Sequence, residues 1–305
     1  EVAGRGGVDA LAGVRTDALS RSKVLFAPSG AVRAPWRITI FLVVSVLALF
    51  VVSALLQPLV THLAAETGAL GAGSSVLGLL ALLISTAVCV RLVDRRGWDA
   101  VWMGRRAARP RVWAEGWLLG ALAIGVPSLV LVGVGVMRFV GAPAGSWWMA
   151  AARVSWFLLP AALLEELLTR GYLFAVLRES LGWRPALAVT SVIFGGLHIP
   201  NHGATVETIT LVTLAGVLFG AIILATGSLY AAWMAHFGWN WAMAVPLHSP
   251  VSGFPLATPN YQLLDAGPRW LTGGAWGPEG GLAAAVGMMA GLTYLYARRG
   301  RREES

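Results

Sequence analysis

Seven stretches of roughly 20 predominantly apolar residues recur along this chain, and a helix that crosses the hydrocarbon of a bilayer needs about that length. They run from Ile38 to Val60, Ala69 to Val90, Gly116 to Met137, Val154 to Val176, Val206 to Ala225, Ser228 to His248 and Gly281 to Ala297. An eighth segment, Pro185 to Ile199, is shorter than a standard span but too apolar for a loop. Backbone in lipid must satisfy its own hydrogen bonds, which restricts such segments to helices. The fold class expected is all-α: a polytopic membrane helix bundle of about eight transmembrane helices with both termini cytoplasmic. Charged residues make up only 12% of the 305 positions, about half of what a soluble domain carries.

The arginines orient the bundle, because cytoplasmic loops collect Lys and Arg. With eight spans and the N-terminus inside, 19 of the 23 Lys and Arg residues fall on the cytoplasmic side, and Arg138, Arg153 and Arg269 fall outside. Arg170 lies within a span. The net charge of +8 is therefore topological. A nucleic-acid partner is not expected, since the basic residues border apolar spans and no nucleic-acid-binding motif accompanies them. The single cysteine, Cys89, lies in the second span; it excludes an intrachain disulfide and reads as packing.

Four regions follow. Residues 1–37 read as a flexible basic cytoplasmic tail without the h-region and small-residue cleavage site of a signal peptide. Residues 38–148 hold the first three helices, and residues 149–248 hold a core where polar groups enter the spans. Residues 249–305 form an outer loop rich in Pro and Gly, the last helix and a basic C-terminal tail. The loop from Ser249 to Gly280 is expected on the outer face, where it reads as an interfacial connection with aromatic anchors in preference to a fold over the bundle mouth. No internal repeat is visible.

The polar residues inside the spans carry the functional signal, because an ionisable group in the membrane usually pairs, faces a cavity or does chemistry. In ALLEELLTRGYL, residues 162–173, Glu166 and Arg170 stand four apart and stack on one helical face as an ion pair. Glu165 points about 100° away and lacks that partner, so it is the carboxylate left to take and return a proton. In VIFGGLHIPNHG, Phe194 and His198 share a face and Pro200 ends the helix at once. The glycines at 195 and 196 permit close approach of another helix. His202 reads as a loop or rim residue, with Pro200 breaking what would otherwise be a helical pair of metal ligands. In HFGWN, residues 236–240, His236 and Asn240 project together, as donors for a developing oxyanion or as ligands for a metal. Each of these groups alone could merely bind helices together; three such clusters are what a buried polar site needs.

EELLTR (165–170), FGGLH (194–198) and HFGWN (236–240) resemble, in order, the EExxxR, FxxxH and HxxxN motifs of the CPBP intramembrane proteases, the family of CAAX prenyl endopeptidases and bacteriocin-processing or self-immunity proteins. The resemblance covers roughly residues 150–245. It implies peptide-bond hydrolysis in the membrane, with Glu165 and His198 activating water and His236 with Asn240 stabilising the tetrahedral oxyanion. Glu166 and Arg170 would then be the structural pair, with Phe194 packed beside the site. The family resembles a metalloprotease in its usual classification, so zinc is a candidate cofactor, with Glu165, His198 and His236 as its ligands and an open position for water. A metal-free mechanism uses the same residues, and the HExxH signature is absent. The resemblance also implies a peptide or protein substrate, lipidated or not, membrane lipids as surroundings, and a bacterial or archaeal cytoplasmic membrane as location.

Two other classes compete. A proton-coupled transporter would also place Glu, His and Arg inside spans, but its inverted repeats and paired broken helices are not seen. A non-catalytic membrane scaffold would not need Glu165, His198, His236 and Asn240 together. Placing each helix by its apolar run leaves Glu165 near mid-membrane, His236 nearer the cytoplasm and His198 nearer the outside, so the enzyme reading requires tilt or a re-entrant helix to unite them.

Overall fold

A computed structural model describes residues 25–26, 30–67, 70–256 and 258–303. Most of the expected basic tail, residues 1–37, lies outside these. Helix follows helix: α1 (Ala34–Thr67), α2 (Leu70–Val88, continued by a π-helical turn at Cys89–Val93), α3 (Pro110–Gly133), α4 (Trp147–Arg170), α5 (Tyr172–Leu181), α6 (Trp183–Leu197), α7 (Val206–Thr226), α8 (Leu229–Ala244), the short α9 (Arg269–Thr272) and α10 (Leu282–Glu303). The boundaries follow from local chemistry. Ser146 and Ser228 cap α4 and α8 by accepting from Met149 N and Ala231 N, and Thr205 with Thr208 forms a capping box on α7. Gly227, at φ 67°, closes α7 in the left-handed conformation that a glycine adopts without a Cβ penalty.

Among the described residues, five stretches are long and apolar enough to cross a membrane: Ala34–His62, Gly73–Val93, Pro110–Gly133, Trp147–Leu181 and Val206–Thr226. The other three segments expected as spans or near-spans are helical but different in kind. Helices α6 and α8 have 15 and 16 residues, below the roughly 20 of a full span. Helix α10 ends in the charged run RRGRRE. The reason is clearest in α8, where Leu229, Ala232, Ala235, Trp239 and Met243 are all buried. A helix apolar on every side is the mark of a protein interior as much as of lipid. The expected fourth span also divides, because α4 stops at Gly171 and α5 starts anew.

The all-α expectation needs one amendment. Residues Met137–Gly141 form strand β1, which pairs antiparallel with β2 (Tyr261–Asp265), Met137 opposite Asp265. Phe139 meets Tyr261 edge to face with ring centres 5.5 Å apart, the kind of cross-strand aromatic pair that supports a short ribbon. The ribbon ties the end of α3 to the loop after α8.

Helix α8 is held in place by α3 and α4. A Cβ on Gly116 or Gly120 would lie 2.3 and 1.8 Å from the backbone oxygens of Ala231 and Ala235. These glycines therefore let the backbones of α3 and α8 touch, as in small-residue helix packing. From the other side, Trp233 Nε1 donates to Leu159 O (2.8 Å) and Trp241 Nε1 donates to Ser155 Oγ (3.1 Å). Both indoles anchor α8 to α4, and His236 lies between them in sequence. Of the two glycines read as contact points in α6, only Gly195 is one: its Cβ would meet Thr213 Oγ1 at 2.1 Å, while Gly196 faces open space.

Arg37 behaves differently from a tail residue. It is buried and bonds Asp94 (2.5 Å), Glu179 (2.7 Å) and the hydroxyl of Tyr172 (3.3 Å), while Arg96 pairs with the same Glu179. This network joins α1, the turn after α2 and α5.

Candidate active site

Glu165 lies on α4, His198 caps the end of α6 and His236 lies mid-way along α8. The fold brings all three together. Glu165 Oε2 is 3.7 Å from His198 Nε2 and 3.9 Å from His236 Nε2. Both separations exceed direct hydrogen-bond length and invite a bridging water. The three side chains, with Asn240, line a cavity of about 350 Å³ whose remaining wall is largely apolar, including Phe157, Leu164, Leu197 and Phe254. The separation in depth that apolar runs alone suggest is thus not observed: α6 and α8 are short helices, and their His198 and His236 both meet Glu165.

The orientation of each imidazole is fixed from behind. His198 Nδ1 is 2.8 Å from Phe194 O, and His236 Nδ1 is 3.1 Å from Glu166 Oε1. A carbonyl oxygen only accepts, and Glu166 Oε1 already accepts from Arg170 Nη1, so both Nδ1 atoms are the donors and both Nε2 atoms are turned toward Glu165. The i,i+4 spacing of Phe194 and His198 makes the first bond local to one helical turn, whereas the second spans 70 positions.

Glu166 has the pairing that its helical phase implies. Its Oε1 accepts from Arg170 Nη1 at 3.4 Å, with both side chains fully buried. Arg170 Nη1 also donates to Thr169 Oγ1 (2.7 Å), and its guanidinium lies 4.2 Å above the ring of Phe194. Phe194 packs beside both imidazoles, with ring centres 5.0 Å from His198 and 5.6 Å from His236. Phe219 of α7 completes the enclosure by stacking on His236 at 4.8 Å. Glu166 is therefore more than a partner for Arg170: the same oxygen holds His236.

His202 sits in the turn after α6, outside the set that lines the cavity. Several contributors have no signature in the sequence. Asn201, Val251, Ser252 and Phe254 line the cavity, and Glu279 is buried and bonded to Ser252 and to Trp239. The region from Ser249 to Gly280, read as an interfacial connection, is thus part of the site wall. The one hint was a carboxylate among apolar residues and glycines in WGPEGG, which no helical or strand period explains.

Fold and site together define a mostly helical integral membrane protein that encloses a carboxylate facing two imidazoles. Residues 143–242 match the family model described as type II CAAX prenyl endopeptidase Rce1-like, a match that supports a CPBP/CAAX protease assignment for that segment. The matched segment, about a third of the chain, begins before α4 and contains Glu165, Glu166, Arg170, Phe194, His198, His236 and Asn240. Comparison with curated proteins and with solved structures gave no match.

A zinc ion holds its nitrogen and oxygen ligands at roughly 2.0 to 2.2 Å, which puts two donors of one tetrahedral ion about 3.4 Å apart. The two distances from Glu165 Oε2, 3.7 and 3.9 Å, are wider. Among the described residues no group of three or more His, Cys, Asp or Glu side chains is arranged to hold a metal ion. The residues as placed therefore do not fit zinc.

Proposed function

We propose that this protein is an intramembrane endopeptidase in which Glu165 and His198 activate water for attack on a peptide bond. The observation that carries the reading is the approach of Glu165 Oε2 to His198 Nε2, 3.7 Å apart at the wall of an apolar cavity. A water between them gives one proton to Glu165, and the hydroxide attacks the carbonyl carbon of the scissile bond. The carbonyl oxygen becomes an oxyanion. His236, whose imidazolium form donates from both nitrogens, and the Asn240 amide supply hydrogen bonds to it. When the tetrahedral intermediate collapses, the C–N bond breaks and the proton on Glu165 passes to the leaving amine, so the carboxylate is regenerated.

Glu166 has a supporting task in this scheme. By accepting from His236 Nδ1 it holds the ring with Nε2 toward the reacting atoms and stabilises the imidazolium, while Arg170 balances its charge. The cavity wall suits a peptide with apolar side chains next to the cleaved bond; a lipidated peptide and a processed bacteriocin are both substrates of that chemistry. Neither the transporter nor the scaffold reading has an observation that favours it.

The test is cleavage of a quenched peptide library, lipidated peptides included, by detergent-purified wild type and Glu165→Ala. Cutting by the wild type and silence of a folded Glu165→Ala support the reading. Equal activity of the two proteins sinks it.

A further inference from the structure

One wall of the cavity comes from beyond the family-matched segment. Val251 and Phe254 bond to each other in a tight turn, Val251 N to Phe254 O at 3.0 Å and Phe254 N to Val251 O at 2.8 Å. Within the turn Ser252 has φ 49°, a left-handed conformation that a residue with a side chain keeps only where its surroundings impose it.

Those surroundings centre on Glu279, which is 6% exposed. Its Oε1 accepts from Ser252 N (2.6 Å) and Ser252 Oγ (2.7 Å), and its Oε2 accepts from Trp239 Nε1 (2.8 Å). Asn201 Nδ2 donates to Ser252 O and Gly253 N donates to Trp276 O, each at 3.0 Å. A buried carboxylate is costly unless it is fully hydrogen-bonded. Here each bond goes either to the turn or to α8, one residue before Asn240. One side chain thus ties the turn to the helix that carries His236 and Asn240.

The turn also presents a side chain to incoming substrate. Phe254 lines the cavity and is 53% exposed, whereas His198, His236 and Asn240 are 8, 4 and 8% exposed. The two imidazoles and the amide are the buried part of the lining, and Phe254 is an exposed part of it. A peptide that places its carbonyl at His236 and Asn240 shares the cavity with that ring.

We propose that the Val251–Phe254 turn is the specificity wall of this site, with Phe254 limiting the size of the apolar substrate side chain beside the scissile bond and Glu279 acting as the positioning residue that holds the wall. The proposal rests on the endopeptidase reading above. Its test uses the full-length protein in detergent and a quenched peptide library varied at the two residues flanking the cleaved bond. Wild type, Phe254→Ala, Glu279→Ala and Glu279→Gln are compared. Phe254→Ala is expected to shift preference toward larger apolar side chains by about tenfold in the ratio of kcat/KM values. Glu279→Ala is expected to give the same shift of preference, read as the ratio of kcat/KM values for large and small side chains. Glu279→Gln keeps an acceptor for Ser252 and recovers part of the wild-type profile. An unchanged profile in Phe254→Ala and Glu279→Ala, or a uniform fall in kcat without a change of preference, overturns the proposal while the protease reading stands. Should Glu279→Ala fail to fold, Phe254→Ala decides alone. A wild type that cuts no peptide overturns both.

Discussion

Glu166 Oε1 lies 3.1 Å from His236 Nδ1 and 3.4 Å from Arg170 Nη1, so one buried oxygen joins a structural ion pair to an imidazole of the site. The two adjacent glutamates of α4 consequently have divided tasks. Glu165 faces the cavity, and Glu166 faces inward and orients the group opposite it.

Removing the carboxylate of Glu165 should therefore cost more than any other single change. Glu165→Gln keeps size and polarity but cannot take a proton, and the proposed general-base role predicts a fall in kcat of about 10² to 10⁴-fold. Steady-state cleavage by folded protein, checked by its helical circular dichroism, measures it. Retention of more than a tenth of wild-type kcat would falsify the assignment of Glu165 as the base.

Asn240→Ala and His236→Ala should lower kcat with little change in KM, because an oxyanion exists only after attack. Loss of one such donor costs on the order of 10² to 10³-fold. A change confined to KM would place these residues in substrate binding instead.

The Glu166–Arg170 pair is fully buried, and cutting either partner leaves a charge without its complement. Glu166→Gln and Arg170→Met are each expected to destabilise by about 3 to 5 kcal/mol, and the double variant by less than the sum. Thermal unfolding in detergent, compared across the double-mutant cycle, reads the coupling. Additive losses would show that the two side chains do not stabilise each other. Glu166→Gln should in addition lower kcat, since it also releases His236.

Gly120→Ala inserts a Cβ where Ala235 O lies 1.8 Å away. Overpacking of this kind typically costs about 1 to 3 kcal/mol, and here it pushes α8 away from α3, one residue before His236. Both the unfolding temperature and kcat should fall. Unchanged values for both would mean that α3 does not position α8.

A chelator should leave activity unaltered if the water is activated by Glu165 and His198 alone. Cleavage measured before and after dialysis against a strong zinc chelator, with zinc added back, decides it. Loss of activity that zinc restores would transfer the activation to a metal bound by Glu165, His198 and His236, and would require these three side chains to draw closer together than they stand here.

Much of this molecule is set by short-range patterns. The long apolar runs specify helices, because a single segment crossing lipid can satisfy its backbone polar groups only within itself. The 100° step of a helix separates Glu165 from Glu166 and stacks Glu166 on Arg170, and the same spacing puts Phe194 beside His198 and His236 on the side of Asn240. Those relationships need only the sequence, since each is confined to one turn of one helix. Whether an apolar run meets lipid or protein is not local, and for that reason α6 and α8 read as spans although they are short and α8 is enclosed. The meeting of Glu165, His198 and His236 depends on the glycine contact of α3 with α8 and on the indoles of Trp233 and Trp241 that tie α8 to α4. The clamp of Glu279 on Ser252 and Trp239 depends on a loop folding back across the cavity. Only tertiary packing decides such contacts, because their partners lie far apart in the chain and no helical period links them.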